Sequence, residues 1–124
     1  MPKSVAISLI LSLLLSHNSV ASEAFKRLKT AEITKKFGGM ELTDEIHWAK
    51  QFAKDGTYVS FSMGVKRNGK WRVEKDELCV DRSRPTDEDR CFQVWLNRNR
   101  VQLRQEAIEV FDEGILQKPV PRKL

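Results

Sequence analysis

From Ile46 onward apolar residues recur at every second position, the period of a strand with one buried face. Asp55-Gly56 is the strongest hairpin signal, because a two-residue turn needs positive φ. Pairing outward from it sets Phe52 opposite Val59, Trp48 opposite Met63 and Ile46 opposite Val65, with Lys50 opposite Phe61 as the exception. Asn68-Gly69 marks the next turn. A two-residue loop there pairs Lys66 with Trp71 and breaks the pattern. A three-residue loop, with Gly69 as a bulge residue, pairs Val65 with Trp71 and Met63 with Val73. A turn at Lys75-Asp76 then matches Val73 with Leu78 and Trp71 with Val80, leaving Arg72 and Cys79 on the other face. Cys79 opposite Cys91 sets Leu78 against Phe92. A turn at Arg98-Asn99 matches Leu96 with Val101 and Val94 with Leu103. Residues 107–111 read as a last strand or a short helix, and Asp112-Glu113-Gly114 as a turn.

Upstream the period changes. Phe25 and Leu28, then Ile33 and Phe37, stand three and four apart, which predicts a helix over residues 22–37. Thr30 reads as the cap of a second helical segment, Glu32 suits its first turn, and Gly38-Gly39 ends it. Lys26, Arg27, Lys29, Lys35 and Lys36 form the solvated face opposite the core stripe; a membrane-surface helix is the alternative. A sheet apolar on one face must cover that face. The expected fold is therefore mainly β (α+β): a six- to seven-stranded antiparallel meander curled into a small barrel or half-barrel. The N-terminal helix packs at one end or over the open face.

The chain of 124 residues is one domain's worth. Lys3, the apolar residues 5–15 and Ser19-Val20-Ala21 have the three parts of a secretory signal peptide over residues 1–21, with cleavage after Ala24 as the alternative. Residues 22–116 are then a single β-rich domain and 117–124 a flexible tail. The expected location is periplasmic or secreted, with no membrane span once the signal is removed. The net charge of +5 implies non-specific attraction to anionic surfaces and names no target.

In an exported chain the only two cysteines, Cys79 and Cys91, have one possible pairing. Closing that loop stabilises by about 3 kcal/mol in the chain-entropy account. Their spacing is too wide for a redox-active pair, and two thiols with His47 are too few for zinc. No nucleophile elbow, metalloprotease motif or phosphate-binding glycine loop is present, so neither enzyme activity nor a cofactor is expected. Asp87-Glu88-Asp89 lacks the ligand spacing of a calcium loop and sits between Arg84 and Arg90 in a charged, exposed 81–90 loop. On the outer face Tyr58 and Trp95 join the cysteines in an aromatic patch. A partner surface, if present, is expected at Tyr58, Trp95, Arg84, Asp87 and Glu88.

Trp48…Phe52…Asp55-Gly56-Thr57, Gly69-x-Trp71-x-Val73, Leu78-Cys79 and Cys91-Phe92-x-Val94 together resemble a family of small exported proteobacterial proteins, domain of unknown function 995. The resemblance covers residues 30 to 115. It implies export and a β-rich fold, and it supplies no activity or site residues. The expected function is a non-enzymatic binding or accessory protein for a small apolar ligand or a cell-envelope protein, with no role in nucleic-acid binding. The alternative is an inhibitor of lysozyme or a protease, acting through the 81–90 loop or the mature N-terminus.

Overall fold

Two turns, Lys75-Asp76 and Arg98-Asn99, fall where the sequence places them, and the strands grow from both. The computed structural model describes residues 24–81 and 90–122. In chain order its elements are β1 (Lys26–Arg27), α1 (Thr30–Phe37), β2 (Met40–Thr43), β3 (Trp48–Phe52), β4 (Thr57–Ser62), β5 (Val65–Glu74), β6 (Glu77–Asp81), β7 (Arg90–Asn97), β8 (Arg100–Glu106) and β9 (Glu109–Gln117). Strands β2 to β9 form an antiparallel meander that closes on itself through β2 and β9, giving an eight-stranded barrel. The expected six or seven strands are too few, and the sheet is a closed barrel. Closure removes both sheet edges, which an open half-barrel leaves unpaired.

The register from β5 to β8 matches expectation pair for pair. Val73 lies opposite Leu78, Trp71 opposite Val80, Leu78 opposite Phe92, Leu96 opposite Val101 and Val94 opposite Leu103. Cys79 and Cys91 are direct cross-strand partners joined by a disulfide.

Between β3 and β5 the register differs. Phe52 lies opposite Tyr58, not Val59, and Trp48 opposite Ser62, not Met63. The cause is one residue in the turn: Gly56, at φ 93, occupies the left-handed bulge position of a three-residue loop. Val59 and Phe61 therefore face outward, while Tyr58 and Ser60 face the barrel axis. The following turn is Met63-Gly64, both residues at positive φ, instead of Asn68-Gly69. Gly69 is thus no bulge residue. It lies within β5 opposite Tyr58, where an added Cβ would come 2.5 Å from the Asp81 carbonyl oxygen. Asp112-Glu113-Gly114 is also no turn but the middle of β9. Gly114 lets β9 close against β2, since a Cβ there would meet the Thr43 carbonyl oxygen at 2.7 Å.

The expected helix over 22–37 divides. Lys26 and Arg27 pair with Leu96 and Trp95, extending the line of β6 along β7. Leu28 is buried and its N–H donates to the Val94 carbonyl, which holds the chain extended before α1 begins. Thr30 is the first helical residue and not the cap. Its N–H and hydroxyl both donate to Asp76 Oδ1 (2.7 and 3.0 Å), tying α1 to the β5–β6 turn. Ile33 and Phe37 point from α1 into one end of the barrel and are fully buried there. The apolar spacing was thus right for this half, and the helix closes one end, as expected. Residues 1–21, read as a signal peptide, lie outside the described residues.

The segment 117–124, expected as a tail, contributes Gln117 to β9 and Arg122 to a buried ion pair. Glu41 faces outward from β2 yet is fully buried, accepting from Arg122 Nε (3.1 Å) and Nη2 (3.0 Å), Gln51 (3.1 Å) and Gln117 (3.0 Å). Burial pushes the Glu41 carboxyl up. These hydrogen bonds and the Arg122 charge outweigh it and leave the carboxyl below its ordinary value. A group depressed in the folded state stabilises above its unfolded pKa, and that contribution is lost as pH falls through the folded value. We expect Arg122→Ala to destabilise by about 1–3 kcal/mol at pH 7, the partly exposed guanidinium keeping the loss below that of a fully buried pair. Urea denaturation at pH 7 and in acid checks this: the gap to wild type should narrow as pH falls toward the folded value of Glu41, which lies below its ordinary one. An equal gap at both pH values would mean that Arg122 acts through packing alone.

Candidate functional site

The two ends of the barrel differ in chemistry. At the α1 end Phe52 makes edge contacts with Phe37 (5.3 Å) and Trp71 (5.6 Å) and lies 5.4 Å from Tyr58, ring centre to ring centre. The Trp71 indole N–H donates to the Ala53 carbonyl at 2.7 Å, so this aromatic plug has its polar atom satisfied. Above the plug the lumen holds a cavity of about 260 Å³, lined by Phe52, Leu78, Phe92, Leu103 and Phe111 together with Lys50, Ser60 and Arg67.

The polar residues come from one rung of the sheet. Lys50 on β3, Ser60 on β4 and Arg67 on β5 are successive cross-strand partners on the lumen-facing side. Directly beneath them runs Phe52, Tyr58 and Gly69, where the missing side chain of Gly69 leaves room for the Tyr58 ring. Lys50 forms an ion pair with Asp112, and both side chains are about one-fifth exposed (19% and 20%). The Lys50 ammonium also sits 5.1 Å from the Trp48 ring.

A bulge in β9 shapes the far wall. Leu103 pairs with Asp112 and Arg104 with Val110, so Phe111 is an extra residue with no partner across the strands. Its ring stacks on Phe92 at 4.9 Å, with the Arg90 guanidinium 5.4 Å away. One acidic residue, Asp81, belongs to this lining and is committed to Arg72, while Asp112 beside it is committed to Lys50. The cations Lys50, Arg67 and Arg90 therefore leave a positive excess among the described lining residues.

Among the described residues, three turns at the open end carry apolar side chains at their tips. Ile46, Met63 and Ile108 are 82%, 90% and 91% exposed. Turns at the closed end carry Lys54-Asp55, Lys75-Asp76 and Arg98-Asn99 instead. Met63 has φ 50 in a turn that favours asparagine or glycine, so its side chain is placed there against local preference. Asp44 braces the neighbouring loop, its Oδ1 accepting from the N–H groups of Ile46, His47 and Trp48 (3.0, 2.7 and 3.0 Å). Burial raises the Asp44 carboxyl, but these bonds and His47 hold it well below the usual aspartate range. His47 is exposed, with Nδ1 2.9 Å from Asp44 Oδ2.

Of the sequence-predicted surface only Tyr58 and Trp95 are described, and they lie on opposite faces of the sheet. Tyr58 lines the lumen, so it leaves the outer aromatic patch. Trp95 does face outward, but it stacks against the Arg104 guanidinium at 4.1 Å and donates to Gln93 at 3.1 Å. Arg84, Asp87 and Glu88 lie outside the described residues. Glu74 stands beside Cys79 and Cys91, but the disulfide leaves no thiolate for a metal. Sequence reasoning missed the lumenal group. Its one signal was Lys50, the lysine that broke an otherwise apolar face. Comparison with protein-family models, curated proteins and solved structures finds no match.

Proposed function

We propose that this protein is a non-enzymatic binding protein that holds a small, largely apolar ligand in the barrel lumen. The observation that carries the reading is the cavity itself, apolar at its floor, polar at one rung and bordered by apolar turn tips. Eight strands enclose a lumen just wide enough to be filled by side chains or to hold one small ligand. Here the upper lumen is left unfilled, at about 260 Å³. That is slightly below the ~300–1,000 Å³ of drug-sized sites, which suits a small ligand or one end of a longer one. A few convergent polar groups on an apolar wall orient a ligand. The described lining contains neither histidine nor thiol for acid–base or nucleophilic work, which favours holding over turnover. Secretion to the periplasm or beyond fits the disulfide and belongs to the same proposal. The inhibitor alternative rests on the 81–90 loop and the N-terminus, and no feature of the described residues favours it.

The test is binding of the neutral fluorophore N-phenyl-1-naphthylamine. Fluorescence should rise on mixing with the wild-type protein. It should stay flat with Ser60→Trp, which fills the lumen from the polar rung. Circular dichroism checks that this variant is folded. Equal enhancement by a folded Ser60→Trp would place the probe elsewhere and overturn the reading.

A further inference from the structure

We infer that the lumenal ligand is a single-chain or aromatic amphiphile with an anionic head, bound tail-first with its acid group at the Lys50–Ser60–Arg67 rung. This rests on the lumen-binding proposal and specifies its ligand class. The floor beneath the rung is hydrocarbon and aromatic, namely Phe52, Leu78 and Phe92, and α1 seals it with Ile33 and Phe37. A charged or strongly hydrated head cannot go there without losing its water unreplaced. At the rung the chemistry reverses. Arg67 and Arg90 both line the cavity, and Ser60 offers a hydroxyl between Lys50 and Arg67.

The sign of the head follows from which charges are already spent. Asp112 is held by Lys50 and Asp81 by Arg72, so neither carboxylate is left to receive a cationic head. Among the described residues Arg67 has no ion-pair partner, and the planar guanidinium suits a carboxylate or a phosphate. Phe111, displaced into the lumen by the β9 bulge, supplies an aromatic wall at the level where head meets tail. Beyond the rung the exposed tips Ile46, Met63 and Ile108 offer the tail of such a ligand apolar contacts on the way in.

The experiment is displacement of N-phenyl-1-naphthylamine by decanoate, decyl phosphate, 1-decanol and decyltrimethylammonium at pH 8. They share one tail and differ in head. One of the two anions should displace the probe at concentrations at least about tenfold below 1-decanol, the size expected for a hydrogen bond to a charged group. The tighter of the two names the head. Arg67→Met should remove most of that advantage and leave 1-decanol unchanged. Arg67 is the residue to vary because Lys50→Met would strand Asp112 and confuse lost binding with lost folding. Equal displacement by acid and alcohol, or preference for the ammonium, overturns the anionic head while the lumen reading stands. An unchanged acid preference in Arg67→Met overturns the rung as its site. If the probe never binds, the lumen reading itself fails.

Discussion

Phe52→Ala should be the most damaging single substitution in the described part of this chain, costing about 3–5 kcal/mol of unfolding free energy. The side chain is 1% exposed and touches the rings of Phe37, Tyr58 and Trp71, which come from α1, β4 and β5. Removing it takes away transfer free energy and also leaves a hole among three elements that cannot all move inward, because β4 and β5 are held in a closed barrel. The loss is local in a second sense: Phe52 is the floor of the lumenal cavity, so the hole adds to the existing space. Urea denaturation measures the stability. Binding of N-phenyl-1-naphthylamine to the folded fraction at low temperature tests the second effect, which should be weaker retention of small ligands in a deeper cavity. A cost below about 1 kcal/mol would show that the floor repacks and that the plug is not the centre of the core.

The second large effect is loss of the disulfide. Cys79→Ser combined with Cys91→Ser should lower stability by about 3 kcal/mol, within the 2–5 kcal/mol seen for small domains. The two cysteines are cross-strand partners on β6 and β7 and enclose a chain separation of 12 residues. The bond ties these strands at the end of the sheet where the 81–90 connection begins. Most of the effect lies in the unfolded chain, which regains the freedom of that loop. The denaturant slope should therefore change along with the midpoint, as the unfolded ensemble becomes more expanded. Wild-type protein under reducing conditions should show the same midpoint as the double serine variant. Probe binding at low temperature should be unchanged, because both sulfurs lie on the outer face, away from the lumen. Unaltered stability in the double variant would show that the bond is not what holds β6 to β7.

How far the sequence could be read depended on where in the chain the reading was made. On β5 to β8 the turn residues and the alternation agreed: Lys75 and Asp76 both take positive φ, the cysteines align, and every apolar pair from Trp71–Val80 to Val94–Leu103 faces inward. That half of the barrel was legible because its inward residues from Trp71 to Leu103 are apolar, with Arg90 at the open end as the exception. On β3 to β5 they are not. Trp48, Lys50, Ser60, Ser62 and Arg67 all occupy the lumen-facing side at the open end, while Val59 and Phe61 face outward. A reading that matched apolar to apolar was bound to slip by one residue there, and the choice of turns at Asp55-Gly56 and Asn68-Gly69 then appeared to support the slip.

The candidate site fared worse than the fold for the same reason. Tyr58 was placed on the outer face by the slipped register, whereas the residues that the structure brings together, Lys50, Ser60, Arg67, Arg90 and Phe111, are far apart in sequence. Phe111 reaches the lumen only through a β9 bulge. Glu41 was equally invisible, since the partner that lets it be buried is Arg122, 81 residues away.

By itself, then, the sequence determined a one-disulfide β meander with a helix at its start, because turn chemistry, cysteine count and alternation are local or nearly local signals. Only the tertiary structure decided that the sheet closes, that β1 joins β7 and that the open half of the lumen is polar. Closure depends on Gly114, whose role is set by the Thr43 backbone that approaches it from β2, far away in sequence. The polarity of the lumen depends on which end α1 seals, and that is a property of the assembled barrel.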